Sequence, residues 1–148
     1  MRKVGKSTKK GFTLVELIVV LVILAVLAAM LVPALTGYIK KARQEKEYQT
    51  AAEVLTAAQA LVTEYYGKTP TSPTTDGAKA WVVGKDNSTD PQDRIHTLVG
   101  LKDSDFSLTS TNITVDSNYI VTGITVTING ANYSWNGTQW SSTAASGS

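Results

Sequence analysis

Glu16 is the first residue in this 148-residue chain whose type and place raise a chemical question. It is a carboxylate near the start of an apolar run, residues 12–35, which only Thr13 and Pro33 otherwise interrupt. An acidic residue at the middle of a membrane helix costs about 2.5–3.5 kcal/mol on insertion scales, and a positive partner offsets that cost. Three further sets could do chemistry. Asp86, Asp90 and Asp93 lie in an oxygen-rich stretch and form a weak calcium candidate. Pro91 stands where an EF-hand loop needs glycine and Thr97 where it needs glutamate, so that motif fails and a solvated loop is the default. His96 is the only histidine and the chain has no cysteine; it reads as a surface or satisfied side chain. Trp81, Trp135 and Trp140 could stack a ligand, but aromatic bulk at strand spacing reads first as core. No nucleophile, general base or metal set is apparent, so an enzyme is the least favoured class and no cofactor is implied.

The elements that must position Glu16 are legible around it. Thr13 and Glu16 have capping-box spacing, with Thr13 as N-cap and Glu16 reaching back to its backbone N–H. A carboxylate in the first turn also faces the positive end of the helix dipole. The apolar run, about 36 Å long as helix, is enough to cross a hydrocarbon core of about 30 Å. It exceeds the apolar core of a secretory signal peptide, and Val32-Pro33-Ala34 makes a poor cleavage site for one. Five of the 14 basic residues, Arg2, Lys3, Lys6, Lys9 and Lys10, precede Phe12 with no acidic residue among them. Without that leader the chain is mildly acidic, which excludes nucleic-acid binding through overall charge. The basic leader favours an N-terminus in the cytoplasm, although Lys40, Lys41 and Arg43 follow the run. The remainder is rich in Thr, Ser and Asn, which suits the exterior.

Beyond the membrane run, neither proline nor glycine occurs between Tyr38 and Tyr66. Tyr48, Ala52, Leu55, Ala58, Val62 and Tyr65 recur at helical spacing and predict an amphipathic continuation. Gly67, Pro70 and Pro73 end it. Residues 67–105 read as a variable loop region with room for one short helix or strand. Period-two alternation then predicts strands within residues 106–142: Asn112–Asp116, Tyr119–Asn129, Ala131–Trp135 and Thr138–Ser142. Asn129-Gly130 and Asn136-Gly137 supply two hairpin turns. The expected fold class is α+β, a long N-terminal helix packed on a small antiparallel sheet. The organisation is a leader at 1–11, an apolar helix at 12–35, its amphipathic continuation at 36–66, the loop region, the sheet, and a flexible polar tail at 143–148.

The string Gly11-Phe12-Thr13-Leu14-Val15-Glu16, set between a basic leader and an apolar helix, closely resembles the class III signal of type IV pilins and pseudopilins. The resemblance implies cleavage after Gly11 by a membrane prepilin peptidase and N-methylation of the new terminus at Phe12. It maps the family's glutamate onto Glu16, which would meet the new ammonium of an adjacent subunit and set register during assembly. Pro33 lies where such proteins often carry a helix-breaking proline, and Gly37 follows, so Leu31–Gly37 is a candidate kink or local melt. Many pilins staple the head with a disulfide, and this chain cannot.

The implied function is that of a structural subunit, held in the cytoplasmic membrane with its N-terminus inside before assembly. It would then polymerise with identical subunits, through an assembly platform, into an extracellular helical filament for adhesion, motility or DNA uptake. No direct nucleic-acid contact is expected. A pseudopilin of a secretion or competence system shares the N-terminal features. A monomeric surface-binding domain on an uncleaved anchor is the alternative of another class.

Overall fold

The computed structural model describes residues 11–69, 71–85 and 93–143. The leader ahead of Gly11, the polar tail after Thr143 and two members of the calcium candidate, Asp86 and Asp90, lie outside the described residues. Contacts divide the chain into two units, Met1–Arg43 and Gln44–Ser148. One helix, α1 (Leu14–Lys68), runs through both.

In the first unit no described residue covers α1. Every large apolar side chain from Phe12 to Ile39 is at least 50% exposed. Helix forms there because an unbroken stretch of Leu, Val, Ile and Ala offers no competing polar side chain and a helix pairs its backbone groups internally, which is what a lipid surrounding demands. Pro33 lies inside α1, and Leu31–Gly37 stays helical throughout. Proline has no N–H, so the carbonyl of Ala29 lacks its usual donor. Thr36 Oγ1 donates to the Val32 carbonyl at 2.8 Å, a side-chain bond of the kind that often bends helices.

In the second unit α1 becomes one wall of a closed core. Glu47, Ala51, Val54, Ala57, Ala58, Leu61 and Val62 are buried. Of the expected stripe, Ala58 and Val62 belong to this face, whereas Tyr48, Ala52, Leu55 and Tyr65 flank it. The true face is rotated by about one residue because it starts with a charged side chain, Glu47, which an apolar count discards. Its opposite wall is a four-stranded antiparallel sheet of order β1-β2-β3-β4: β1 (Ile113–Val115), β2 (Val121–Ile128), β3 (Ala131–Trp135) and β4 (Trp140–Thr143). Ile113, Val115, Val121, Ile124, Val126, Ile128 and Tyr133 project into the core from it. This is the α+β, pilin-like architecture expected from the sequence.

The turns follow from their residues. Asn129 (φ 50°) and Gly130 (φ 80°) close the β2–β3 hairpin with Ile128 opposite Ala131. Both central residues need positive φ, which Asn-Gly supplies at least cost. The last hairpin is wider than the two-residue turn expected at Asn136-Gly137: Trp135 pairs with Trp140, leaving four residues between them. Asn136 Oδ1 accepts from the N–H of Thr138 and of Gln139 at 3.0 and 2.9 Å, an Asx arrangement that favours the longer loop. Asp116 Oδ1 likewise accepts from the N–H of Asn118 and Ile120, closing the β1–β2 turn and delaying the start of β2 to Val121.

Between α1 and the sheet lie two short helices, α2 (Thr75–Val82) and α3 (Arg94–Val99). The Thr74 side chain caps α2 by accepting from the Gly77 N–H. A Cβ on Gly77 would overlap the Tyr65 hydroxyl, so a side chain there would force Tyr65 to move from its place between α1 and α2. Gly100 ends α3 in the left-handed conformation.

Candidate functional site

The start of α1 carries the sequence-predicted site. Gly11, Phe12 and Thr13 precede the helix, and the first helical residue is Leu14. Thr13 caps it: the Leu17 N–H donates to the Thr13 carbonyl at 3.2 Å. The Thr13 N–H donates to Glu16 Oε2 at 3.1 Å, while the Glu16 N–H donates to Thr13 Oγ1 at 3.3 Å. This is a complete capping box, the local reading of Glu16. It holds the carboxylate one residue away from the Phe12 nitrogen. The box uses one carboxylate oxygen, and an ionised carboxylate offers about four acceptor positions. No other partner of Glu16 is found among the described residues. The side chain is thus oriented and still able to receive a cation.

Gly11 and Phe12 are exposed, Phe12 at 88%. The Gly11–Phe12 bond lies outside the helix. A Cβ on Gly11 would meet nothing within 4 Å, and its φ is not in the left-handed range. Neither packing nor backbone conformation requires glycine there. Gly37 is also in open space.

The N-terminal segment matches one family model, the prokaryotic N-terminal methylation motif, over residues 6–32. The chain carries an N-terminal methylation motif. That motif is characteristic of type IV pilins and pseudopilins and implies a precursor processed by prepilin peptidase in a pilus-assembly context. With the apolar helix it fits a structural subunit anchored in a membrane before assembly. No curated protein and no solved structure matches the chain significantly.

The other candidate residues are not drawn together with Glu16. Asp93 precedes α3 and makes no side-chain cap. Among the described residues no three His, Cys, Asp or Glu side chains could hold a metal ion. His96 is not the surface residue that the sequence allowed: it is 4% exposed and stacks on Phe106 with ring centroids 4.1 Å apart. Its Nε2 lies 3.2 Å from the Phe106 carbonyl, which can only accept, so Nε2 carries the proton. Its Nδ1 lies 3.5 Å from an Asp103 carboxylate oxygen and makes no hydrogen bond among the described residues. Trp135 and Trp140 lie 5.6 Å apart on the core side of the sheet, and Trp81 lies under the Arg94 guanidinium at 3.7 Å.

Two polar residues that sequence reasoning passed over tie α1 to the sheet. Glu47, only 8% exposed, accepts from the Tyr133 hydroxyl and, at 2.8 Å, from Asn129 Nδ2. Burial, the hydrogen bond to Glu47 and the negative charges of Glu47 and Tyr48 push the Tyr133 hydroxyl well above the usual tyrosine range. The Gln59 amide donates to the Tyr119 carbonyl at 3.0 Å and accepts from the Val121 N–H at 2.7 Å, gripping the backbone on both sides of Ile120. The available signal was position: Glu47 continues the buried 51, 54, 58 series toward the N-terminus.

Proposed function

We propose that the chain is a type IV pilin subunit, cleaved after Gly11, methylated at Phe12 and polymerised with identical copies into a surface filament. The observation that carries this reading is the methylation motif at residues 6–32, which runs into a helix whose large apolar side chains up to Ile39 are uncovered by the described residues. Before assembly, lipid covers them. In a filament outside the membrane, only other copies can.

Glu16 then has two successive tasks. In the precursor it completes the capping box with Thr13. Cleavage converts the Phe12 nitrogen from amide to ammonium. The unused acceptor positions of Glu16 meet the ammonium of a neighbouring copy, and neutralising both charges selects one axial register. Pro33 and Gly37 make Leu31–Gly37 the part of α1 that yields when copies pack, because a missing N–H and a missing Cβ weaken the same two turns. The second unit, compact by itself, faces the surroundings and carries whatever adhesion, motility or DNA uptake the polymer performs.

The test is to shear producing cells and image the released material with an antibody to the head. Long fibres labelled along their length are expected. Short rods confined to the envelope would assign the chain to a pseudopilus, and an unsheared monomer in the membrane would overturn the assembly reading.

A further inference from the structure

We infer that Asn136 and Gly137 form a self-modifying site, at which the Gly137 backbone nitrogen closes a five-membered ring on the Asn136 side chain and expels ammonia. Water then opens the ring to aspartate or isoaspartate and is the only co-reactant.

The chain holds two Asn-Gly pairs, Asn129-Gly130 and Asn136-Gly137, and the fold treats them oppositely. At the first, the leaving group is tied down: Asn129 Nδ2 donates to Glu47 Oε1 at 2.8 Å, and Glu47 is buried. Both central residues of that turn are held at positive φ, between the paired Ile128 and Ala131. Ring closure there must break a hydrogen bond to a charged acceptor and open a two-residue turn.

At the second pair all three reacting groups are free or activated. The nucleophile, the Gly137 nitrogen, makes no hydrogen bond among the described residues. The leaving group, Asn136 Nδ2, makes none either. The electrophile is Cγ, whose oxygen accepts from the Thr138 N–H at 3.0 Å, the Thr138 hydroxyl at 2.8 Å and the Gln139 N–H at 2.9 Å. These donors surround the atom on which negative charge gathers as the nitrogen attacks, as in an oxyanion hole. Residues 136–139 are all exposed, so hydroxide and water reach the ring at each stage.

The loop's own construction demands the labile pair. Gly137 has φ 93°, and a Cβ on it would lie 3.1 Å from the Thr122 carbonyl oxygen, so a side chain is disfavoured twice. Asn136 supplies the side-chain acceptor that shapes the loop.

In the first step the Gly137 N–Cγ bond forms and the Cγ–Nδ2 bond breaks. The proton of the Gly137 nitrogen leaves with Nδ2 as ammonia. Hydrolysis at Cγ gives aspartate. Hydrolysis at the backbone carbonyl gives isoaspartate, which lengthens the loop backbone by one atom. Either product adds a carboxylate to residues 106–143, where Asp116 is otherwise the only charged side chain. The head therefore gains negative charge with age.

The test incubates the full-length chain in detergent at mildly alkaline pH, with and without concentrated urea. Chymotryptic cleavage at Tyr133 and Trp135 puts the two asparagines on different peptides, and mass spectrometry follows the gain of one mass unit in each. In the folded chain Asn136 is expected to convert about ten to a hundred times faster than Asn129, the factor set by the Glu47 hydrogen bond. In urea the two rates should converge. Equal rates in the folded chain, or a faster Asn129, overturn the inference. So does a folded rate at Asn136 more than about tenfold below its rate in urea, which would mean that the loop's hydrogen bonds protect the side chain.

Discussion

The same helix lives by two different rules on either side of Arg43. In the second unit its buried face is mostly small, Ala51, Ala57 and Ala58 beside Val54, Leu61 and Val62, because a sheet lies close against it. Polar residues there have assigned partners, Glu47 with Tyr133 and Asn129, and Gln59 with the backbone at Tyr119 and Val121. In the first unit the large apolar side chains from Phe12 to Ile39 point to every side of the helix, and no described residue covers them. Burying one Leu, Val or Ile side chain contributes about 1.5–3 kcal/mol, so the second unit is stabilised from within. The first unit waits for a lipid or protein surrounding to contribute the same term. One half of α1 is a folding element, and the proposed function makes the other an assembly element.

Substitutions can break that comparison in either half. The largest effect is expected for Glu16→Ala, which removes the docking charge: fibre yield should fall about tenfold or more, with insertion, processing and head stability unchanged. Normal fibre yield by quantitative immunoblot of sheared material would remove Glu16 from assembly. Next, Ile124→Ala in the sheet should destabilise the head by about 2–5 kcal/mol in chemical denaturation, since Ile124 is almost wholly buried opposite the helix. A loss below about 0.5 kcal/mol would mean that the sheet does not close the core.

Tyr133→Phe should cost about 1.5–3 kcal/mol, the range for a hydrogen bond to a charged group. It also tests a pH dependence. The folded state raises the Tyr133 value, so this contribution is complete below the ordinary tyrosine value of 10.0 and is lost as pH rises through the raised one. The wild-type head should weaken in strong alkali, and the variant should lose this part of the slope. Parallel curves would dissociate Tyr133 from Glu47. Smallest of all, Leu21→Ala should shift head stability by less than about 0.5 kcal/mol, because Leu21 is exposed and in the other unit. A larger shift would show that the two halves are energetically one.

The N-terminal half was readable because its signals are local and dense. The Thr13–Glu16 spacing specified the capping box, and the Asn129-Gly130 turn placed the strand Ala131–Trp135 to the residue, while the strand before it starts two residues later than Tyr119. What escaped reading depended on partners far along the chain. Glu47 meets residues more than 80 positions away, and a count of apolar residues passes over a carboxylate, so the helix face drawn from apolar residues alone came out rotated. Which of the two readings of His96, surface or satisfied, holds depended on a distant partner as well: its cover is Phe106, on a loop with no periodicity. The widened loop at Asn136 shows a local signal, Asn-Gly, overruled by side-chain hydrogen bonds from the same asparagine.

The central claim is that this helix is made to be cut at Gly11 and then covered by copies of itself. Mass spectrometry of the N-terminal peptide, in material sheared from producing cells, tests it most directly. The account predicts a chain beginning at N-methylated Phe12. An intact leader ending in Gly11, found only in membranes, would contradict it, because Glu16 would have no new ammonium to meet.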